Sequence, residues 1–146
     1  MERNTRQRAA VLAAIEAAGR PLLPQEVLAE AGAATPSLGM ATVYRTLKAL
    51  SEAGRVKAVA LAGEPVRYEA AGHGHHHHFQ CRECKRVFDV PGCVGDLAPL
   101  VPKGFQLADH EVLLFGRCDR CVAPPLAKTA VSPRAADAGA APRPRT

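Results

Sequence analysis

The sequence predicts an α+β protein: three short helices and a hairpin, in the order of a winged helix-turn-helix, then a small second domain stapled by a four-cysteine zinc site. Three observations carry this. Apolar residues at helical spacing are confined to the first third of the chain, and strand-like apolar pieces follow. Every Cys and His lies between residues 73 and 121. Four of the five cysteines form two C-x-x-C pairs. Aromatics are only 4% and Trp is absent, so the core is small and a staple would help it.

The first helix is expected over Thr5–Ala18, capped by Thr5, with Ala9, Val11, Leu12, Ile15 and Ala18 as its apolar stripe and Gly19 as its stop. Arg3, Arg6 and Arg8 cluster at its start, the end where the helix dipole disfavours cations. A second helix spans Pro24–Ala31, with Pro at its start and Gly32 at its end. The third covers about Gly39–Ala53: Val43, Leu47 and Leu50 are its buried stripe, and Thr42, Arg45 and Lys48 face elsewhere. Strands are expected over Val56–Leu61 and Val66–Glu69, with a turn at Gly63-Glu64-Pro65. In folds of this order the last helix enters the major groove of DNA.

In the second domain, His75–Cys81 and Arg86–Val90 read as strands around the first C-x-x-C, Leu97–Leu100 as one helical turn, and Glu111–Phe115 as a strand before the second C-x-x-C. The domain boundaries are therefore 1–70, a glycine-bearing hinge at 71–74, 75–121, and an Ala/Pro/Arg-rich tail at 122–146 that is expected to be disordered. Gly72 and Gly74 should let the two domains sample many orientations without metal.

Several classes are excluded. No apolar run approaches the roughly 18 residues of a membrane span. No apolar stretch follows the charged start MERNTRQR, so no secretory signal and a cytoplasmic location are expected. An odd cysteine count then argues against a disulfide framework. His110-Glu111 begins like H-E-x-x-H, but Leu114 stands where the second His is needed. Gln80 before Cys81 breaks the nucleobase-deaminase pattern. No nucleophile elbow or P-loop is present, so no enzyme and no small-molecule substrate are expected. A formal charge of +5, with the surplus in the N-terminal domain and the tail, permits nucleic-acid binding.

Cys81, Cys84, Cys118 and Cys121 offer four thiolates, which suits a closed tetrahedral Zn²⁺ site; reduced thiols or two redox pairs are the alternatives. Cys93 is left over, as a small buried residue or else an accessory ligand or reactive thiol. In an extended His75-His76-His77-His78 run, alternate side chains face opposite ways, so His76 and His78 share one face and His75 and His77 the other. Glu69 is a candidate to complete the first face, and Asp96 and His110 the second. Such donors suit Zn²⁺, Fe²⁺, Mn²⁺ or Co²⁺.

Together, T5-R-Q-R8, G39-M-A-T-V-Y-R-T-L47, Y68-E69, H75-H-H-H78 with C81-x-x-C84, then H110, G116-x-C118 and C121 resemble the ferric uptake regulator family over about residues 3–121. The resemblance implies a metal-dependent repressor of metal-uptake genes, with a winged-helix domain and an α/β dimerisation domain, that binds a palindromic double-stranded DNA operator as a homodimer. It implies that Thr42, Tyr44 and Arg45 lie on the recognition helix, and that Arg6 and Arg8 lie near phosphates. The four cysteines match the structural zinc site. Glu69, His76, His78 and Asp89 match a regulatory site for Zn²⁺ or Fe²⁺, and His75, His77, Asp96 and His110 a third site. Pro21-Leu22-Leu23 offers no ligand where many members carry a histidine, and Ala70 stands where zinc-sensing members often carry Cys. The competing readings are a zinc-buffering or zinc-delivery protein without DNA affinity, and a zinc-ribbon interaction module.

Overall fold

The computed structural model describes residues 1–122, so the 123–146 part of the expected disordered tail lies outside the described residues. Three helices come first: α1 (Glu2–Ala18), α2 (Pro24–Ala34) and α3 (Met40–Glu52). β1 (Val56–Val59) and β2 (Arg67–Ala70) form an antiparallel hairpin. β3 (His77–Cys81), β4 (Val87–Val90) and β5 (Leu113–Gly116) form a second sheet in the order β4-β3-β5. A 3₁₀ turn, Ala98–Leu100, and a four-residue helix α4, Asp119–Val122, complete the described chain.

Two helix boundaries differ from expectation. α1 begins three residues earlier, with Met1 rather than Thr5 at its N-cap. Thr5 sits inside the first turn, and its backbone N–H and its hydroxyl both donate to the Met1 carbonyl at 3.3 Å. Glu2 in that turn suits the helix dipole. α2 runs through Gly32 to Ala34. A mid-helix glycine costs only about 1 kcal/mol against Ala, and Ala33 and Ala34 are strong helix formers.

The N-terminal core gathers one stripe from each helix: Val11 and Ile15 of α1, Val27 and Ala31 of α2, and Val43, Leu47 and Leu50 of α3, closed by Leu22, Leu38 and Val56. Leu22 also bridges Tyr68, exchanging backbone hydrogen bonds of 2.8 and 2.9 Å. The link between α1 and α2 thereby adds a one-residue third strand to the hairpin and fixes it against the helices.

In the second sheet β3 is central, antiparallel to β4 and parallel to β5. β4 returns the chain to the starting end of β3, and residues 91–112 then cross from the β4 edge of the sheet to the β5 edge, so that β5 can run parallel to β3. The two parts meet across more than the glycine connector. Val59 and Leu61 pack with Val87 and Leu113. Arg67, 1% exposed, reaches the Lys85 carbonyl at 2.9 Å and pairs with Glu64 at 3.3 Å. Among the described residues, no helix is long and apolar enough to cross a membrane.

Candidate metal centres and nucleic-acid interface

Cys81 ends β3, and Cys84 closes the turn after it, where Lys85 takes a left-handed backbone (φ 61°). Cys118 and Cys121 flank the start of α4, where the N–H groups of Cys121 and Val122 both donate to the Cys118 carbonyl. Because β5 runs parallel to β3, both knuckles arrive at the same end of the sheet. The Cys118 N–H donates to Cys81 Sγ at 3.4 Å, and Cys84 Sγ lies 3.7 Å from Cys118 Sγ. A Zn–S bond of about 2.3 Å in a tetrahedron requires sulfurs about 3.8 Å apart, so this spacing suits zinc. The backbone N–H from Cys118 holds the Cys81 thiol down to about 6, whereas hydrogen bonding to Cys118 and burial push Cys121 up to about 12. Four crowded thiols cannot all ionise without a cation among them.

The second cluster spans both parts of the molecule. Glu69 comes from β2, His76 and His78 from the start of β3, and Asp89 from β4, where it pairs in register with His78. Both imidazole Nε2 atoms approach the Glu69 carboxylate, at 3.2 Å from His76 and 3.3 Å from His78. Both also approach Asp89 Oδ1, at 3.7 and 3.6 Å. His76 Nδ1 faces the Gly74 carbonyl at 2.7 Å. That contact fixes the proton on Nδ1 and turns the Nε2 lone pair towards the carboxylates, as metal-ligating histidines require. Glu69 Oε1 and Asp89 Oδ1 are buried without a hydrogen-bond partner, and both face the two imidazole Nε2 atoms, so this donor set fits a divalent cation. The bond to Gly74 and the nearby Glu69 and Asp89 charges, against opposing burial, push His76 up. Burial and the Glu69 charge push Asp89 up.

The third cluster lies on the opposite face of the same run: one donor atom each of His75, His77, Cys93 and His110, all within 4.8 Å of one another. Here an expectation is corrected. Asp96 does not join it; its Oδ1 accepts the Ala98 N–H at 2.9 Å, starting the 3₁₀ turn. Cys93 stands there instead, exposed rather than buried, with Sγ 3.1 Å from His110 Nε2.

On the remaining surface, Tyr44 and Arg45 project from the face of α3 opposite its buried stripe, with Tyr44 50% exposed. Arg45 donates to the Thr42 hydroxyl at 3.2 Å. Arg8, Thr42 and Arg45 line one groove between α1 and α3. Arg6 is exposed on α1 and approaches Glu2 at 3.8 Å.

A family model described as the ferric uptake regulator family matches residues 2–115. The chain belongs to the ferric uptake regulator family. Members are metal-responsive, DNA-binding transcription regulators and not enzymes, as the absence of any catalytic motif anticipated. The chain is 37% identical over 123 residues to the transcriptional regulator FurA of Mycobacterium tuberculosis, covering 82% of each. It is 32% identical over 122 residues to the ferric uptake regulation protein of Campylobacter jejuni, covering 80% of this chain and 78% of that one. Its fold is similar to that of the Helicobacter pylori ferric uptake regulator, a protein described as having three functional metal-binding sites (TM-score 0.61, 23% identity, 81% of each chain). A zinc-bound manganese uptake regulator shares the fold too (TM-score 0.65, 23% identity, 77% of this chain and 87% of that one).

For this family member, three expected groups converge: the four cysteines, the Glu69 set, and the trio His75, His77 and His110. Sequence reasoning missed Arg67, and it offered Cys93 as an accessory ligand only beside the reading of a small buried residue, without placing it in this cluster. An arginine followed by alternating strand residues was the only signal for the first; a Pro-Gly turn before a cysteine was the only one for the second.

Proposed function

We propose that the chain is a metal-switched repressor of metal-uptake genes that binds a palindromic operator as a homodimer. The observation that carries this reading is the composition of the second cluster. Glu69 belongs to the helical part through β2, whereas His76, His78 and Asp89 belong to the sheet part. A divalent cation, Zn²⁺ or Fe²⁺, held by these four residues would tie residues 1–70 to residues 75–121 across the 71–74 connector.

In this reading residues 1–70 are a winged helix, with α3 as the recognition helix and the β1–β2 hairpin as the wing. Thr42, Tyr44 and Arg45 reach base edges, and Arg6 and Arg8 hold phosphates. Residues 75–121 are the dimerisation domain, with the four-cysteine zinc as its structural centre. β5 is an edge strand that exposes Leu114 and Phe115, an apolar edge suited to a second copy. Fixing the angle between the parts then fixes the separation of two recognition helices along the operator. Linkage requires DNA to tighten metal binding by the factor by which metal tightens DNA binding.

The test is a gel shift on the DNA upstream of the chain's own gene, with and without Zn²⁺ or Fe²⁺. Metal-dependent binding should be lost in His76→Ala and Glu69→Ala while the structural zinc and the dimer persist. Unchanged metal dependence in both variants would place the switch elsewhere.

A further inference from the structure

His76 and His78 turn their Nε2 atoms to the carboxylates of the second cluster, so their Nδ1 atoms face away from it. These two outer nitrogens are served unequally. His76 Nδ1 has the Gly74 carbonyl at 2.7 Å. His78 Nδ1 is buried and has no hydrogen-bond partner. Among the described residues one carboxylate oxygen approaches it, Glu111 Oε1, 3.9 Å away. The pairing of β5 with β3 puts Glu111 there. The His78 N–H donates to the Val112 carbonyl at 3.1 Å, and His78 lies in register with Leu113. The residues leading into β5 therefore repeat the alternation of the His run. His110 turns to His75, with 3.3 Å between their Nε2 atoms, and Glu111 turns to His78 on the other face. The Glu111 side chain is 65% exposed and lines a cavity of about 390 Å³ between β1 and residues 109–111. It has room to move towards His78 while one oxygen stays in water.

On the reading of the second cluster as the metal switch, we infer that Glu111 is its positioning residue: the carboxylate accepts a hydrogen bond from His78 Nδ1–H and so holds that ring to the cation. With its Nε2 lone pair given to a cation, a neutral imidazole carries its one proton on Nδ1. A buried N–H without an acceptor is unfavourable. A carboxylate there removes that cost, fixes the tautomer and makes the ring a better donor to the cation. Closing 3.9 Å to a charge-assisted hydrogen bond of about 2.8 Å takes a shift of about 1 Å in an exposed side chain. Because Glu111 ends the connection between β4 and β5, the same bond ties the end of that connection to β3 when the cation is held.

The test uses the full chain with zinc in its four-cysteine site, and with His75→Ala and Cys93→Ser in every sample. Both residues are exposed, and their loss takes two donors from the third cluster. Zn²⁺ is titrated against a chromophoric chelator, without DNA. In this background Glu111→Ala should weaken binding at the second cluster by about 10–100-fold. Glu111→Gln, which keeps an acceptor oxygen, should lose less. Asp109→Ala, which removes another carboxylate lining the same cavity, should leave the affinity unchanged. Unchanged affinity in Glu111→Ala overturns the assignment, and so does an equal loss in Asp109→Ala, which would reduce the effect to net charge. Nuclear magnetic resonance of ¹⁵N-labelled, zinc-loaded protein reads the bond directly. A His78 Nδ1–H signal protected from exchange with water should be present with Glu111 and lost in Glu111→Ala; its persistence in the variant overturns the assignment as well. Identical titrations of the background and its His76→Ala variant would instead sink the switch reading itself, and the role of Glu111 with it.

Discussion

The Arg67 guanidinium donates to the Lys85 carbonyl across 2.9 Å, joining the hairpin to the turn that carries Cys84. Its charge is met by Glu64, itself partly exposed, and its side chain is buried. Removing Arg67 therefore loses hydrogen bonds from a charged donor and leaves a cavity. Arg67→Ala should lower stability by about 2–3 kcal/mol, and Arg67→Met, which refills the volume, by less. Urea unfolding midpoints measure both. Equal loss in the two variants would show that packing contributes little there.

Cys81→Ser and Cys118→Ser should each lose the structural zinc and cooperative unfolding together, because the binding energy of a structural metal is folding energy. Cys93→Ser should retain both. Zinc content per chain, read beside a thermal melt, decides this; full zinc retention in the first two variants would refute the four-cysteine assignment.

Arg45→Ala should weaken operator binding by about 1–3 kcal/mol and relax sequence preference. Arg6→Ala should weaken all sequences alike and lower the salt slope by about 1. Competition titrations at several salt concentrations separate the two. If Arg45→Ala affects specific and random DNA equally, α3 is not the reading helix.

Glu26 accepts a 2.7 Å bond from Arg20 and a 2.9 Å bond from the Leu23 N–H at the start of α2. Burial opposes its charge, but the bonds from Arg20 and Leu23 outweigh it and hold Glu26 below its usual 4.5. A lowered carboxylate stabilises the fold above its unfolded pKa and loses that contribution as pH falls through the folded one. Glu26→Gln should thus destabilise at neutral pH by about 1 kcal/mol, the usual worth of a capping interaction. The difference should shrink as pH drops below 4.5. A difference independent of pH between 7 and 3 would contradict the charge-based account.

A methyl group on Gly116 would lie 3.0 Å from the Phe79 ring of the neighbouring strand. Gly116→Ala should destabilise by about 1–3 kcal/mol through overpacking and displace the second knuckle. Faster zinc loss to a chelator than in wild type is the expected sign.

Much of this was legible in the sequence because it rests on periodicity. Val43, Leu47 and Leu50 are buried as helical spacing requires. The His run divides between two clusters as strand alternation requires, even though His75 and His76 precede the regular part of β3. What periodicity does not encode is how an irregular connection folds back. Cys93 and Asp96 are three residues apart in one loop, and which of them meets His110 depends on backbone angles that no repeat sets. Thr5 was misjudged as a cap because Glu-Arg-Asn before it continues the helix. Arg67 was silent because its partner is a backbone carbonyl, which has no sequence signature.

The parallel pairing of β3 with β5 also sets an order of assembly during synthesis. The helical part and its core use contacts within the first 70 residues and can fold as soon as they emerge. The first C-x-x-C follows and must wait, two-coordinate at most, while the whole 85–117 stretch is translated. Only when Cys118 and Cys121 arrive can the thiolates close. During that interval the nascent chain carries an exposed half-site beside an unpaired strand edge, the point at which a metal shortage or an oxidant would divert it from folding.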